Sequence, residues 1–321
     1  MKSILRGRLP LALAVVALAL VAGVAAATAA PLGGVQVRTV TSWGFAPPYG
    51  SFAEGMALGA DGNLYASVTA WGDEVDMGQI ERVSPTTGER TPFGQSIDVG
   101  LGLLTGVAFD GAGRLYVAEA FSDSPGVYRV EASGPPTQVL ALPAESFPNG
   151  IAFHDGELYV TDSSLGAIWR SDPSVFTTPA EPWLSDPLLA PGTHMGDHGI
   201  GVNGIAFRGS QLYASVSDAG RIVRVAVRQD GSAGPLRVVL ERGTLQSADG
   251  IAFDPAGDLW IVTNGPNRGR VLVLAHGELT AVGGQPAWLD YPTMPVFGPS
   301  GSLFVENGSF ILGAPSIVEL Y

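Results

Sequence analysis

Six polar residues recur at one place in this sequence. Glu54, Thr105, Asn149, Asn203, Asp249 and Thr293 each stand just before the first strand-like stretch of a repeated segment, and glycine follows five of them. Brought together, Glu54, Asn149, Asn203 and Asp249 offer two carboxylates and two amide oxygens with no amine nearby in the pattern. That is the donor set a calcium ion takes, since it accepts roughly 6 to 8 oxygens in flexible geometry and leaves room for water or substrate. Two carboxylates buried without a counter-charge are costly, so either a metal sits between them or one of them holds a proton. The plainer role for such residues is turn capping, because Asn and Asp before Gly often close Asx turns, but this explains one residue better than four. Thr105 and Thr293 are read as ordinary strand-start residues that reach the same ring only through water.

The elements that must position this row are repeats. Segments beginning at Gly55, Gly106, Gly150, Gly204, Gly250 and Met294 all read as strand, turn, strand, as in GIAFHDGELYV and GIAFDPAGDLWIV. Each second strand opens on Leu plus an aromatic, and those aromatics are Tyr65, Tyr116, Tyr159, Tyr213, Trp260 and Phe304. Shorter alternating pieces between them, such as GVYRVEA and GRIVRVAV, supply a third strand. A lone four-stranded sheet with two apolar faces cannot bury itself, whereas six packed radially leave only short, protected edges. The expected fold is therefore all-β: a six-bladed β-propeller with four antiparallel strands per blade. The strand-like segment from Val35 to Ser42 completes the last blade, and the Leu-aromatic pairs form the core between blades. Innermost strands approach the central axis, so the six polar side chains converge at one end of a tunnel.

Composition narrows the chemistry. The chain has 321 residues and no cysteine, so thiolate metal sites, thiol nucleophiles and disulfides drop out and metal ligands must be oxygen or one of 4 His. With 17 basic residues against 30 acidic ones and a formal charge of −13, an electrostatic grip on nucleic acid is excluded. Lys2, Arg6 and Arg8 precede an apolar run from Leu11 to Ala27, and Ala27-Thr28-Ala29 offers a cleavage site. Residues 1–29 thus read as a secretory signal peptide, with an uncleaved anchor as the other reading, and 30–321 as a single propeller domain. The expected product is a secreted or periplasmic monomer that does not sit in the membrane after cleavage.

The ring of ligands and the repeats together resemble the superfamily of six-bladed propeller hydrolases that contains regucalcin (the senescence marker protein), gluconolactonases and luciferin-regenerating enzyme, with diisopropyl fluorophosphatase and paraoxonases as relatives. Ser247-Ala248-Asp249-Gly250-Ile251-Ala252-Phe253 looks like that family's metal-binding aspartate strand, Pro148-Asn149-Gly150-Ile151-Ala152-Phe153 like its asparagine strand, and Glu54-Gly55 stands in the place of its early glutamate. The order Glu, Asn, Asn, Asp is similar to the fluorophosphatase branch, while Met56-Ala57-Leu58 stands where many members have proline and tryptophan. The resemblance implies one catalytic calcium in the tunnel, with a second structural ion as an option. Glu54, Asn149, Asn203 and Asp249 would be the ligands and Asp249 the catalytic base or nucleophile. The implied substrate is a small molecule: a lactone, ester or phosphotriester.

Other groups are candidates for orienting these ligands or carrying a proton. Glu119, Asp162 and Glu306 end second strands, one strand outward from the row, and the alternative for each is closing the next turn. His194 and His198 lie in a Gly-rich connection that leads to Asn203, where an exposed loop histidine is the commoner outcome. Connections around Trp71 to Met77, Ala120 to Pro125 and Leu188 to Gly201 are expected to roof the tunnel mouth, with Trp71, Phe121 and Met195 lining a partly apolar pocket. Two further readings stand beside the hydrolase. One is a non-catalytic NHL-like propeller that binds a protein or glycan, and the other is a metal-free enzyme resembling strictosidine synthase. No G-x-S-x-G, H-E-x-x-H or P-loop segment is present.

Overall fold

The computed structural model of the chain describes residues 35–43, 51–70, 76–100, 102–179, 181–193, 199–264, 269–282, 289–309 and 314–321. The proposed leader, residues 1–29, therefore lies outside the described residues, as do Trp71, His194, Met195 and His198. Strands fill six four-stranded antiparallel sheets. The first blade runs from β2 (Ser51–Leu58) through β3 (Leu64–Ala70) and β4 (Asp76–Val83) to β5 (Arg90–Gly100). The second holds β6 (Leu103–Phe109), β7 (Leu115–Ala120), β8 (Gly126–Val130) and β9 (Thr137–Ala141). The third and fourth open on β10 (Pro148–His154) with β11 (Glu157–Asp162), and on β14 (Val202–Arg208) with β15 (Gln211–Val216). The fifth and sixth open on β18 (Ala248–Phe253) with β19 (Leu259–Thr263), and on β22 (Pro292–Phe297) with β23 (Leu303–Asn307).

The ring closes as the sequence predicts. β1 (Val37–Ser42) pairs antiparallel with β24 (Ser316–Leu320), so one blade is assembled from both ends of the fold in the order β1-β24-β23-β22. Each inner strand touches the inner strand of the next blade, and β22 returns to β2. Among the described residues the only helix is a 3-10 turn at Gly243–Leu245, and no helix is long and apolar enough to cross a membrane.

The core sits between blades. Six apolar clusters each join two neighbouring sheets: Tyr65, Ile80 and Val99 of the first blade, for example, pack on Leu104, Val107 and Val117 of the second. The Leu-aromatic pairs lie at these junctions. Tyr65 meets Phe109 at 5.0 Å between ring centroids, Tyr116 meets Phe153 at 4.9 Å, Tyr159 meets Phe207 at 5.1 Å, Tyr213 meets Phe253 at 5.0 Å and Trp260 meets Phe297 at 5.5 Å. Five of the six second strands thus press their aromatic, mostly edge to face, on the phenylalanine of the next blade's first strand, a geometry that aromatic quadrupoles favour. At the last junction Phe304 packs with Leu58 instead.

Candidate functional site

The polar row lies on a structural irregularity repeated in every blade. Pairing between the first and second strands slips between Ala53 and Met56, Leu104 and Val107, Pro148 and Ile151, Val202 and Ile205, Ala248 and Ile251, and Pro292 and Met294. Glu54, Thr105, Asn149, Asn203, Asp249 and Thr293 fall inside these slips. An extra residue on one strand releases it from the ladder and re-aims its side chain, here towards the axis. The glycine that follows has a packing reason. A Cβ on Gly55, Gly106, Gly150, Gly204 or Gly250 would stand 2.3, 2.4, 2.7, 2.4 or 2.4 Å from the carbonyl oxygen of the row residue on the next blade. Inner strands therefore approach so closely at the bulges that five of the six junctions accept only glycine.

Hydroxyl groups on the second strands stitch the bulges. Ser67 Oγ accepts from Gly55 N at 3.0 Å and donates to the Thr105 carbonyl at 2.7 Å. Thr161 repeats this between Gly150 and the Asn203 carbonyl, and Ser215 between Gly204 and the Asp249 carbonyl. Two residues further along, Ser163 Oγ accepts from Asn149 Nδ2 at 3.2 Å and Ser217 Oγ from Asn203 Nδ2 at 3.1 Å. With the amide nitrogens so engaged, the amide oxygens turn the other way, and Asn203 Oδ1 is sealed without a partner. Asn264 holds the corresponding place beside Asp249, and its Nδ2 donates to Asp249 Oδ2 at 2.6 Å. Thr105 instead donates to the Pro148 carbonyl at 2.9 Å, which gives it a structural role.

Three carboxyl groups lie near enough to influence one another. Glu54 has its Oε2 sealed although the residue keeps part of its surface open, while Asp249 and Glu306 are 3% and 0% exposed. Burial holds the Glu54 carboxyl well above the usual range, and the charges of Asp249 and Glu306 push it further. Burial likewise raises Asp249, against a hydrogen bond from Asn203 that acts to lower it. Glu306 is raised by burial and then by Asp249, with Thr293 working in the opposite direction. The first and fifth blades are not neighbours, so an interaction between Glu54 and Asp249 requires both to point inward. Among the described residues no three Asp, Glu or His side chains form a ready-made metal cage. An ion would have to draw on the amide oxygens of Asn149 and Asn203 and on water, and the orphaned oxygens of Glu54 and Asn203 fit that need.

The outward candidates separate by strand parity. Glu306 lies two residues after its strand's aromatic, the same place as Ser67, Thr161 and Ser215, whose hydroxyls bond the inner strands, and so sits beside the bulge. Glu119 and Asp162 lie three residues after theirs and pair with Leu104 and Pro148, just before the bulge. Asp162 closes a turn: Oδ1 accepts from the backbone of Phe147, Ser164 and Leu165, and Oδ2 from Trp169 Nε1 at 3.0 Å. Glu119 is buried, takes a hydrogen bond from Ser122 Oγ, and burial pushes it up to about 8. Phe121 packs on Phe147 at 4.3 Å. Asp218, which the sequence reading missed, accepts from Gly192 N at 3.1 Å and Ile200 N at 3.0 Å, tying together the ends of the segment that carries His194 and His198.

Fold and site define a six-bladed propeller whose axis is lined with carboxyl and amide oxygens at one end. The chain belongs to the family described as a repeat of unknown function, DUF6923, which matches residues 58–250. No curated protein sequence matches it. Its fold is that of luciferin-regenerating enzyme, at 15% identity and a TM-score of 0.60 over 89% of this chain and 95% of that one. It is shared by a gluconolactonase from Xanthomonas campestris, at 19% identity and 0.56 over 90% of each chain, and by virginiamycin B lyase from Staphylococcus aureus, at 14% and 0.56 over 89% and 99%. The propeller architecture inferred from the residues is thereby shared with the group they resemble.

Proposed function

We propose that this protein is a calcium-dependent hydrolase of lactones or related esters and phosphotriesters, working at the bulge end of its tunnel outside the cytoplasm. The observation that carries the reading is the convergence of Glu54 and Asp249 with Asn203, whose sealed Oδ1 has no partner within the protein. Glu54, Asn149, Asn203 and Asp249 would hold the ion, which when bound supplies Lewis-acid polarisation of the substrate's carbonyl or phosphoryl oxygen. Asn264 fixes Asp249 through Oδ2. Oδ1 is then the oxygen left either to take a proton from an attacking water or to attack the substrate itself. The leader-like residues 1–29 support export, and the gluconolactonase and luciferin-regenerating enzyme folds support a small-molecule substrate.

A second reading, a propeller that binds a partner without turnover, draws on the hydrogen bonds by which Thr105 reaches the next blade directly, and Asn149 and Asn203 anchor the Ser163 and Ser217 hydroxyls that do so. The deciding experiment is metal content by elemental mass spectrometry after calcium loading and dialysis, followed by turnover on lactones, aryl esters and phosphotriesters. About one retained ion per chain with measurable turnover is expected. Neither metal nor turnover would leave the binding propeller or a metal-free enzyme.

A further inference from the structure

Glu306 is the carboxylate that the row of bulges does not account for. It stands on β23, at the strand position where β3, β11 and β15 carry the stitching hydroxyls of Ser67, Thr161 and Ser215. The sixth blade gives up that stitch. In its place is a side chain that is 0% exposed and whose Oε1 and Oε2 both lack a hydrogen-bond partner. A second sealed acceptor without a partner, Asn203 Oδ1, belongs to the same ring, on a residue 4% exposed. Glu54 and Asp249 stand on the two blades that flank that of Glu306; the charge of Glu306 acts on Glu54, and that of Asp249 on Glu306. No Lys, Arg or His contributes to the field at any of the three. Only Thr293 acts to lower the proton affinity of Glu306 and no counter-charge is present; so poorly compensated a carboxylate is among the costliest groups a protein can bury, and a cation in the tunnel would offset it.

We propose that Glu306 is a third anionic group of the tunnel cation site, acting on the ion through space or a bridging water, and that it biases the site towards ions of higher charge. This rests on the cation reading given above. Because no three acidic or histidine side chains among the described residues form a common cage, Glu306 works on the ion from beyond direct bonding distance. The energy of such an action is proportional to the charge of the ion. Removing an outer group of this kind costs about tenfold in metal affinity. If that is the loss for Ca2+, proportionality makes the loss for Tb3+ about thirtyfold.

The test is titration of the purified protein with Ca2+ by calorimetry and with Tb3+ by luminescence, at neutral pH and fixed salt. Wild type is compared with Glu306→Gln, Glu306→Ser and Glu131→Gln. Glu306→Ser restores the hydroxyl found in the first and fourth blades and so guards against loss of fold. Glu131, whose side chain is 59% exposed, controls for the change in net charge. Both Glu306 variants are expected to lose affinity for both ions, and more for Tb3+ than for Ca2+, while Glu131→Gln changes neither. Wild type that binds both ions, with Glu306 variants that bind them equally well or lose the same factor for each, would overturn the role of Glu306 and leave the cation site standing. Wild type that binds neither ion would remove the cation reading itself.

Discussion

The tunnel ring has two unlike halves. Across the second, third and fourth blades the row residues are Thr105, Asn149 and Asn203, neutral groups whose side-chain donors are spent on the Pro148 carbonyl, Ser163 and Ser217. Across the fifth, sixth and first blades stand Asp249, Glu306 and Glu54, three buried carboxyl groups whose proton affinities burial raises, with Asp249 raising both others and Glu306 raising Glu54. The same bulge thus supports two purposes. Where its side chain is neutral it is tied down by hydrogen bonds, Thr105 to the next blade, and Asn149 and Asn203 to hydroxyls of their own blades that in turn reach the next. Where it is acidic it stores an unfavourable field that a cation or a proton must relieve.

The sharpest test of this division is Asp249→Asn. It keeps the shape of the acid half and removes a charge, so turnover should fall by about a thousandfold while the fold is kept. Steady-state rates on a lactone, beside a thermal melt, decide it, and an unchanged rate would break the assignment of chemistry to that half. Next in size is Gly204→Ala, between the fourth and fifth blades, where the new methyl group would stand 2.4 Å from the Asp249 carbonyl. About 3 kcal/mol of stability should be lost in denaturant titration, through overpacking against backbone that cannot move aside. Smaller again is Ser215→Ala, which removes one stitch and should cost about 1–2 kcal/mol with calcium affinity unchanged. A large loss of metal binding there would blur the two halves.

The smallest effect concerns pH. Folded-state proton affinities of Glu54, Asp249, Glu306 and Glu119 all lie above the ordinary range, so each favours folding while protonated and withdraws that support as pH rises through its raised value. For Glu119 the support is full below 4.5 and is lost as pH rises through about 8. Metal-free protein should therefore melt at lower temperature at pH 8.5 than at pH 5. Glu119→Gln should flatten that slope by a few degrees, and saturating calcium should remove the share owed to the tunnel carboxyls. A melting temperature that does not vary with pH in chelator would contradict the buried field.

Much of this was legible without coordinates, because a repeat exposes its own register. The Leu-aromatic pairs gave the number of blades, and the segment from Val35 to Ser42, lacking a partner of its own, gave the closure. The row of residues before glycine was visible as a row. Its bulge was not, since a slip in pairing belongs to two strands and leaves no mark on one. The carboxylates ending the second strands looked alike in sequence. Only the pairing of β23 with β22 sets Glu306 beside the bulge, and the one-residue offset at Glu119 and Asp162 sets those two before it. Asn264 was missed for the same reason, although its place in the repeat matches that of Ser163 and Ser217.

The sequence by itself determined the six blades, the polar row and the identity of the groups that could do chemistry, because period and residue type are local properties. The tertiary structure alone decided that the acids gather on three adjacent blades. It also showed that glycine follows the row to let carbonyls pass, and that a third carboxylate joins the other two. Those outcomes depend on distances across the axis between residues up to about 250 positions apart, which only the closed ring sets.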